Sequence, residues 1–389
     1  MTAPADKEPI RAALVAALAA MDVDDADPHL ERPRDPEHGD WATNVALTLA
    51  GRLGRPPRQI AEELASRMDA AAAGVTSVEV AGPGFLNFRV AAASVADTLR
   101  VVLQNDEGYG RSATGAGEPI LVEWVSANPT GPLHLGHGRQ AALGDALCAL
   151  LEWTGWKVHR EFYYNDAGRQ MELLARSVRA RYEALFGNTV VVPEGGYQGE
   201  YIADLATAFR DEVGDRWVGD DGPEALGTFR RFAVRLLRAE QDRDLAEFRV
   251  GFDSYFLESS LYGEGRVGAT IEALRATGHV YEAEGAVWLR TTEFGDDKDR
   301  VMVKSSGSPT YFLPDVAYHV TKWERGFHRC VNVQGADHHG TVTRVRAGLQ
   351  ALGLPEDFPE WVLHQMVTVE RGGEEVKFSK RAGSYTTLR

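Results

Sequence analysis

Apolar residues in the first 110 positions recur at helical spacing in three segments: 9–21, 43–70 and 91–104. Positions 78–90 instead alternate between apolar and polar residues, and Ala81-Gly-Pro-Gly84 interrupts the alternation. Such a break predicts two strands joined by a turn. A Gly- and Ser-rich stretch follows at 109–118. The pattern therefore predicts a small α+β domain over residues 1–110, with a boundary at this stretch.

Strand-like and helix-like segments alternate from residue 119 onward. The predicted order is strand 120–125, helix 138–154, strand 157–164 and helix 167–186. In the first helix one face carries Leu143, Ala146, Leu147, Leu150 and Leu151. Alternation of this kind predicts a parallel sheet covered by helices, the architecture of nucleotide-binding α/β domains.

Residues 190–310 interrupt this alternation. They contain predicted helices at 201–215, 223–248 and 263–277 and a β-rich segment at 280–304. We interpret the block as an insertion in a second domain that spans 111–389. The parallel sheet is expected to resume at 330–334 and to continue through 361–369.

Composition and charge narrow the function classes. The chain has 389 residues, 44% hydrophobic and 25% charged, which is ordinary for a soluble globular protein. No apolar run approaches the roughly 20 residues of a membrane helix, so no membrane partner is expected. Cys148 and Cys330 belong to no CxxC pair, and we expect both to be buried in a cytoplasmic protein. The net charge of −15 gives no support to nucleic-acid binding, which must be argued from motifs.

The strongest motif is His134-Leu-Gly136-His137, between a predicted strand and a predicted helix. Backbone N–H groups at a helix N-terminus favour anions, and Gly136 lets a nucleotide approach the backbone closely. Two histidines three positions apart can both donate hydrogen bonds to phosphate oxygens. The alternative is a metal pair, but zinc needs further ligands, and only distant candidates exist.

Two further motifs accompany the histidines. Lys377-Phe-Ser379-Lys380-Arg forms a basic loop that could neutralise phosphate charge, although a solvated surface turn is the alternative. Gly335-Ala-Asp337-His338 follows a predicted strand, where ligands of parallel sheets bind. Asp337 could accept a ribose hydroxyl there, or it could simply cap a turn.

The three motifs, in this order, resemble those of class I aminoacyl-tRNA synthetases. Several longer stretches are similar to the bacterial arginyl-tRNA synthetases: 122–139, 163–170, 296–300 and 309–318, together with 39–44 and 81–87 near the start. The resemblance covers essentially the whole chain. The sequence shows no counterpart of the family's C-terminal helical domain, which reads the anticodon. We interpret the end at Arg389 as a truncation.

The resemblance implies a Rossmann-like catalytic domain preceded by a tRNA-binding N-terminal domain. It implies ATP-dependent activation of L-arginine and ligation to tRNA(Arg), with Mg²⁺ accompanying ATP and no metal held by the protein itself. We expect a cytoplasmic monomer. An inactive fragment that binds tRNA or a partner is the alternative of another class, and a different adenylate-forming enzyme is the alternative within the fold.

The resemblance also implies roles for particular residues. His134, His137 and Lys380 would be catalytic. ATP would be bound by Gly136, Gly335, Asp337, His338, Lys377 and Ser379. Arginine would be bound by Glu123, Ser126, Asn128, Tyr311 and Asp315, because carboxylates supply the planar acceptors that a guanidinium needs. Which acid holds the guanidinium is left open. A surface ion pair at Glu123 and a core aromatic at Tyr311 are the alternatives.

Overall fold

The computed structural model describes residues 7–376 and 387–389 and divides into two units, up to Gly110 and from Arg111 onward. Lys377, Ser379 and Lys380 of the predicted site lie outside the described residues.

The first unit packs three helices and a small sheet around one core, and a further helix follows. Its elements are α1 Glu8–Ala19, β1 Trp41–Thr43, α2 Val45–Leu53, α3 Pro57–Arg67, β2 Val75–Ala81, β3 Phe85–Val90 and α4 Ala92–Asn105. The strands form an antiparallel sheet in the order β1-β3-β2. Leu14, Leu64 and Phe88 are completely buried where helices meet the sheet.

The single helix predicted at 43–70 is wrong, because the structure has two helices there, α2 and α3. Gly54 ends α2 in the left-handed region with φ 62°, a conformation that favours glycine. Pro56 and Pro57 follow, and a proline within a helix removes a backbone donor and clashes with the preceding turn. The apolar periodicity thus continues from α2 into α3, although glycine and proline end the first helix between them.

The second unit contains the parallel sheet. Its strands are β4 Pro119–Glu123, β5 Lys157–Tyr164, β6 Ser254–Leu257, β7 Val280–Ala283, β8 Ala286–Leu289, β9 Arg300–Val303, β10 Cys330–Gly335, β11 Glu360–His364, β12 Val369–Arg371 and β13 Glu374–Val376. Its helices are α5 Leu135–Trp153, α6 Gly168–Ala184, α7 Glu200–Val213, α8 Pro223–Glu247, α9 Glu258–Gly263, α10 Arg266–Ala276, α11 Phe312–Glu324 and α12 His339–Ala351.

Five of these strands form a parallel sheet in the order β11-β10-β4-β5-β6. The predicted Rossmann-like α/β fold is therefore confirmed. The predicted insertion at 190–310 needs correction, because β6 lies within it and pairs with β5 as an edge strand of the same sheet. The final strand is also shorter than predicted, since β11 ends at His364 and Val369 belongs to a separate hairpin.

Helix α5 packs on the sheet through small residues rather than through its leucines. Leu143 and Leu150 are 38% and 65% exposed, while Gly144 and Cys148 are buried. A Cβ atom at Gly144 would overlap the indole ring of Trp124, which is completely buried next to Glu123. Close approach of the helix to Trp124 therefore requires glycine. Both cysteines are buried, as predicted.

None of the described helices is both long enough and apolar enough to cross a bilayer.

We expect Gly144→Ala to lower the free energy of unfolding by about 1–3 kcal/mol, because the added methyl group must displace a buried ring. Urea unfolding followed by circular dichroism measures the change. Gly268→Ala on α10 is the matched control, since nothing lies within 4 Å of a Cβ atom there. It should be neutral or stabilising by about 0.5–1 kcal/mol. Equal stability of the two variants would contradict this account of α5.

Candidate functional site

A row of buried polar residues crosses the centre of the parallel sheet. Asn332 on β10, Glu123 on β4 and Glu161 on β5 are register partners on adjacent strands. Each is at most 4% exposed. Register partners on neighbouring strands point to the same face of a sheet. Because buried polar groups are costly unless paired, this row needs partners from the element that covers it.

Helix α11 supplies those partners from one face. Lys322, which is completely buried, donates from Nζ to Glu123 Oε2 at 2.7 Å and to Asn332 Oδ1 at 2.9 Å. The hydroxyl of Tyr318 donates to Glu161 Oε1 at 2.9 Å. Sheet and helix are thus joined by a buried polar layer. The surface ion pair considered for Glu123 is wrong, because its pair is inside the fold.

Beyond Glu123 the chain enters a strained loop, 124–131. Val125 has φ 65° and Ser126 has φ 43°, a region that side chains other than glycine rarely adopt. Such residues cost about 1–3 kcal/mol each and persist only where their surroundings hold them. Ser126 Oγ donates to Glu123 Oε1 at 2.8 Å and accepts from the backbone N–H of Tyr163 at 3.2 Å. The loop is therefore fastened to the buried polar layer.

The loop borders a cavity of about 330 Å³, here called the inner cavity. All five residues predicted to bind arginine line it: Glu123, Ser126, Asn128, Tyr311 and Asp315. Tyr311 is 63% exposed, so its interpretation as a core aromatic is wrong. The predicted residues are brought together because β4 ends at the same sheet edge that the start of α11 approaches.

The inner cavity also contains two acidic groups without a cationic partner within 4 Å in the described part of the chain, Asp315 and Glu258. Burial, and then the neighbouring Glu258 carboxylate, raises the pKa of Asp315 to about 7. Burial also raises the pKa of Glu258, whose Oε2 accepts from Tyr163 Oη at 2.8 Å. Arg344 also lines this cavity, and its charge lowers the pKa of Asp315. The two desolvated carboxyl groups outnumber this one cation, so the site favours a further cation.

The sequence analysis missed Glu258 and Lys322. Glu258 directly follows β6 at the carboxyl end of the strand, a position typical of ligand-binding residues. The sequence interpretation places Glu258 in the insertion at 190–310, where no strand end of the parallel sheet is expected. Lys322 has a helical signal, since Asp315, Tyr318, His319 and Lys322 follow the i, i+3, i+4, i+7 spacing of one helix face.

A second cavity of about 460 Å³, the histidine cavity, adjoins the first. It is lined by six of the residues predicted for catalysis or ATP binding: His134, Gly136, His137, Gly335, Asp337 and His338. Ser126, Asn128, Gln170, Gln334 and His338 line both cavities. Because the two cavities share walls, their occupants would be neighbours.

The two signature histidines cap helix α5. His134 Nδ1 accepts from the backbone N–H of Gly136 at 3.1 Å, and His137 Nδ1 accepts from the N–H of His134 at 3.1 Å. The rings stack with centroids 3.7 Å apart. A neutral imidazole that accepts at Nδ1 carries its proton on Nε2, so each Nε2 is a donor. These donors lie in the wall of the histidine cavity.

The carboxylate of Asp337 lies close to the backbone of Gly335. A Cβ atom at Gly335 would overlap this carboxylate, whose side chain is 59% exposed. Gly335 ends β10 and Asp337 lies in the short turn before α12, so both residues are at the sheet edge.

A third and larger cavity of about 890 Å³, the basic cavity, meets the inner cavity at Glu258 and Tyr311. Four cationic side chains line it: Arg169, Arg230, Arg231 and Lys304. All four residues are exposed. Asp166 and Glu258 line the cavity as well, so its cations outnumber its acids by four to two. In a chain of net charge −15, this local excess of positive charge attracts anions.

Comparisons with known proteins show the family of the chain. Residues 7–90 match the family model of the arginyl tRNA synthetase N terminal domain, and residues 98–389 match that of the tRNA synthetases class I (R), catalytic domain. An arginine–tRNA ligase of Ralstonia nicotianae is 57% identical over 92% of this chain and 62% of its own length. One from Cupriavidus necator is 54% identical over 96% of this chain and 65% of its own length. The chain thus spans less than two thirds of these relatives.

A solved structure shares the fold. The arginyl-tRNA synthetase of Thermus thermophilus superimposes with a TM-score of 0.69 at 22% identity, over 92% of this chain and 65% of that one.

The raised pKa of Asp315 predicts a pH-dependent effect of Asp315→Asn. A neutral Asp315 stabilises the fold, and this contribution is complete below the ordinary carboxyl pKa of 3.8 and is lost as the pH rises through about 7. The variant should therefore be more stable than the parent by about 1–2 kcal/mol at pH 8 and equal to it near pH 4. Urea unfolding at both pH values measures the difference. An equal effect at both would mean that the carboxyl does not titrate in this range.

Proposed function

Because the chain belongs to the arginine-type class I tRNA synthetases, we propose that it activates L-arginine with ATP and transfers it to the 3′ end of tRNA(Arg). The observation that carries the proposal is the inner cavity, where two carboxyl groups without an ion-pair partner within 4 Å among the described residues adjoin a cavity lined by the two signature histidines. A cationic amino acid and a nucleotide would therefore bind side by side.

The guanidinium is assigned to Asp315 and Glu258. Glu123 is already neutralised by Lys322 at 2.7 Å, whereas these two carboxyl groups have no such partner within 4 Å among the described residues. A guanidinium donates to two acceptors in one plane and restores the charge balance that burial disturbs. Ser126 and Asn128, which border both cavities, are then available to the α-amino and carboxylate end. Tyr311 would cover the substrate from the exposed side.

ATP is assigned to the histidine cavity, with Mg²⁺ carried on its phosphates. Its ribose would lie near Gly335 and Asp337, and His338 would line the nucleotide site. The Nε2 donors of His134 and His137 would stabilise the charge that develops on the phosphates. Gly136 would allow close approach of the nucleotide. The roles of Lys377, Ser379 and Lys380 stay predictions from the sequence.

The reaction then has two steps. A carboxylate oxygen of arginine forms a bond to the α-phosphorus of ATP, and the bond to the bridging oxygen breaks with release of pyrophosphate. A ribose hydroxyl at the 3′ end of tRNA attacks the carbonyl carbon of this adenylate and gives up its proton, and AMP leaves. No protein side chain becomes covalently attached.

The tRNA 3′ end would enter through the basic cavity. This cavity meets the inner cavity at Tyr311 and Glu258, and Arg230 and Arg231 can contact backbone phosphates. The N-terminal unit, residues 1–110, would contact the elbow of the tRNA. A cytoplasmic location and a monomeric state stay predictions.

Arginine-dependent ATP–pyrophosphate exchange on this chain, with and without tRNA, tests the function. We expect exchange with arginine and not with neutral amino acids. Glu258→Gln keeps the acceptor for Tyr163 but removes the charge, so the KM for arginine should rise about a hundredfold with little change for ATP. Glu272→Gln on α10, an exposed site, is the control.

Absence of exchange from a folded chain that still binds tRNA would favour the alternative, a binding fragment. Exchange with arginine that Glu258→Gln leaves unchanged would support the function but reject the guanidinium site.

Replacing Arg230 and Arg231 together by glutamine should weaken tRNA binding about tenfold without changing arginine affinity, since only phosphate contacts are lost. The slope of log affinity against log salt should become shallower by roughly 1.4, the value for two contacts to a single strand. Filter binding across a salt series measures both quantities. Arg235→Gln on the same helix is the control, because Arg235 pairs with Glu212 at 2.8 Å. An unchanged slope would remove the basic cavity from the tRNA path.

A further inference from the structure

The strained loop 124–131 is held from a side that the arginine and ATP assignments do not use. Its far end exposes three backbone carbonyls, those of Asn128, Thr130 and Gly131, to side chains from distant parts of the sequence. Gln241 Nε2 on α8 donates to Asn128 O at 3.2 Å and to Gly131 O at 2.8 Å. Tyr201 Oη on α7 donates to Thr130 O at 2.8 Å. Three carbonyls within four residues are thus bonded by two helices.

The chemistry of the Gln241 contact fixes its direction. Both acceptors are carbonyl oxygens, so only the NH₂ end of the amide can face them, and both of its hydrogens are used. The side chain is completely buried, which removes water as a substitute donor. Loss of this amide would remove the side-chain donor from Gly131 O, whereas Asn128 O would keep the backbone N–H of Thr130 at 2.7 Å.

The helices that carry these donors are packed around an apolar core of their own. Helices α6, α7 and α8 enclose a separate apolar core with Tyr182, Phe209 and Phe229 at its centre. Gln241 lies about three turns beyond Phe229 on α8, where the helix leaves that core and reaches the loop. The loop is therefore held in place by the helical core as well as by the sheet.

We propose that Gln241 and Tyr201 are positioning residues for amino-acid binding: they hold the carbonyls of 128–131 so that Asn128 presents its side chain to the inner cavity. Asn128 borders both cavities, and its Nδ2 donates to Gln170 Oε1 at 2.8 Å. The segment also leads directly to His134. The inference rests on the proposed function, because it names residues that set arginine affinity without touching the substrate.

A purely structural role of Gln241 predicts a different result. If Gln241 only stabilises the fold, its loss lowers the melting temperature and leaves arginine affinity and the protection of the loop unchanged in the folded protein. If it positions the loop, the loop loosens in a protein that remains folded, and the effect on arginine depends on Asn128.

The test uses the full chain carrying Gln241→Met, which keeps the length of the side chain and removes both donors. Equilibrium dialysis with labelled arginine measures the Kd, and hydrogen–deuterium exchange measures protection of 126–133. We expect the arginine Kd to rise about tenfold, the ATP Kd to change less than twofold and loop exchange to accelerate at least tenfold. Protection in α8 should be retained. Thr207→Ala on α7, whose hydroxyl bonds only within its helix in the described structure, is the control.

A double-mutant cycle separates positioning from a general effect. In an Asn128→Ala background, Gln241→Met should weaken arginine binding less than twofold, because the side chain it positions is already absent. If Gln241→Met unfolds α8, Tyr201→Phe replaces it, since that change removes one hydroxyl and should raise the Kd about threefold.

Unchanged arginine affinity and loop protection in both variants, or additive effects in the cycle, would overturn the inference. A parent chain that binds no arginine would instead refute the proposed function.

Discussion

The buried ion pair between Glu123 and Lys322 is the constraint on which the rest of the site depends. Lys322 has no exposed surface, and its amino group is shared between a carboxylate on β4 and an amide on β10. Removing one partner of such a pair costs about 3–5 kcal/mol, because the other charge stays buried and uncompensated. The pair therefore favours one register of helix α11 on the sheet, and in that register Asp315 lines the inner cavity.

The same pair decides which charges remain for a ligand. With Glu123 neutralised, the acidic groups of the inner cavity that have no ion-pair partner within 4 Å among the described residues are Asp315 and Glu258, and burial disfavours their ionised forms. A guanidinium would relieve both, whereas a neutral side chain would leave them buried and unpaired. Under the proposed function, rejection of neutral substrates would follow from desolvation rather than from shape, and discrimination of this kind can reach several orders of magnitude.

Much of the fold could be predicted, because periodicity is a local property of the sequence. Strands β4, β5 and β10 and helices α5 and α6 were all found in this way, and the sheet edge that collects the motifs follows from their order. Glu258 escaped because β6 has only four residues, too short for a pattern, and its place in the sheet depends on pairing with β5, 93 positions away at Glu161 and Ser254. The partner of Glu123 could not be predicted either, since 199 positions separate it from Lys322.

The strained backbone at Val125 and Ser126 connects the two cavities with two sets of helices, α11 on one side and α7 with α8 on the other. Left-handed backbone at a valine is unfavourable in isolation, so the conformation needs anchors on both sides. One anchor is the Ser126 hydroxyl on Glu123, which Lys322 holds; the other is the set of carbonyls bonded by Gln241 and Tyr201. Since this one loop lines both cavities, the geometry between them depends on a single strained segment.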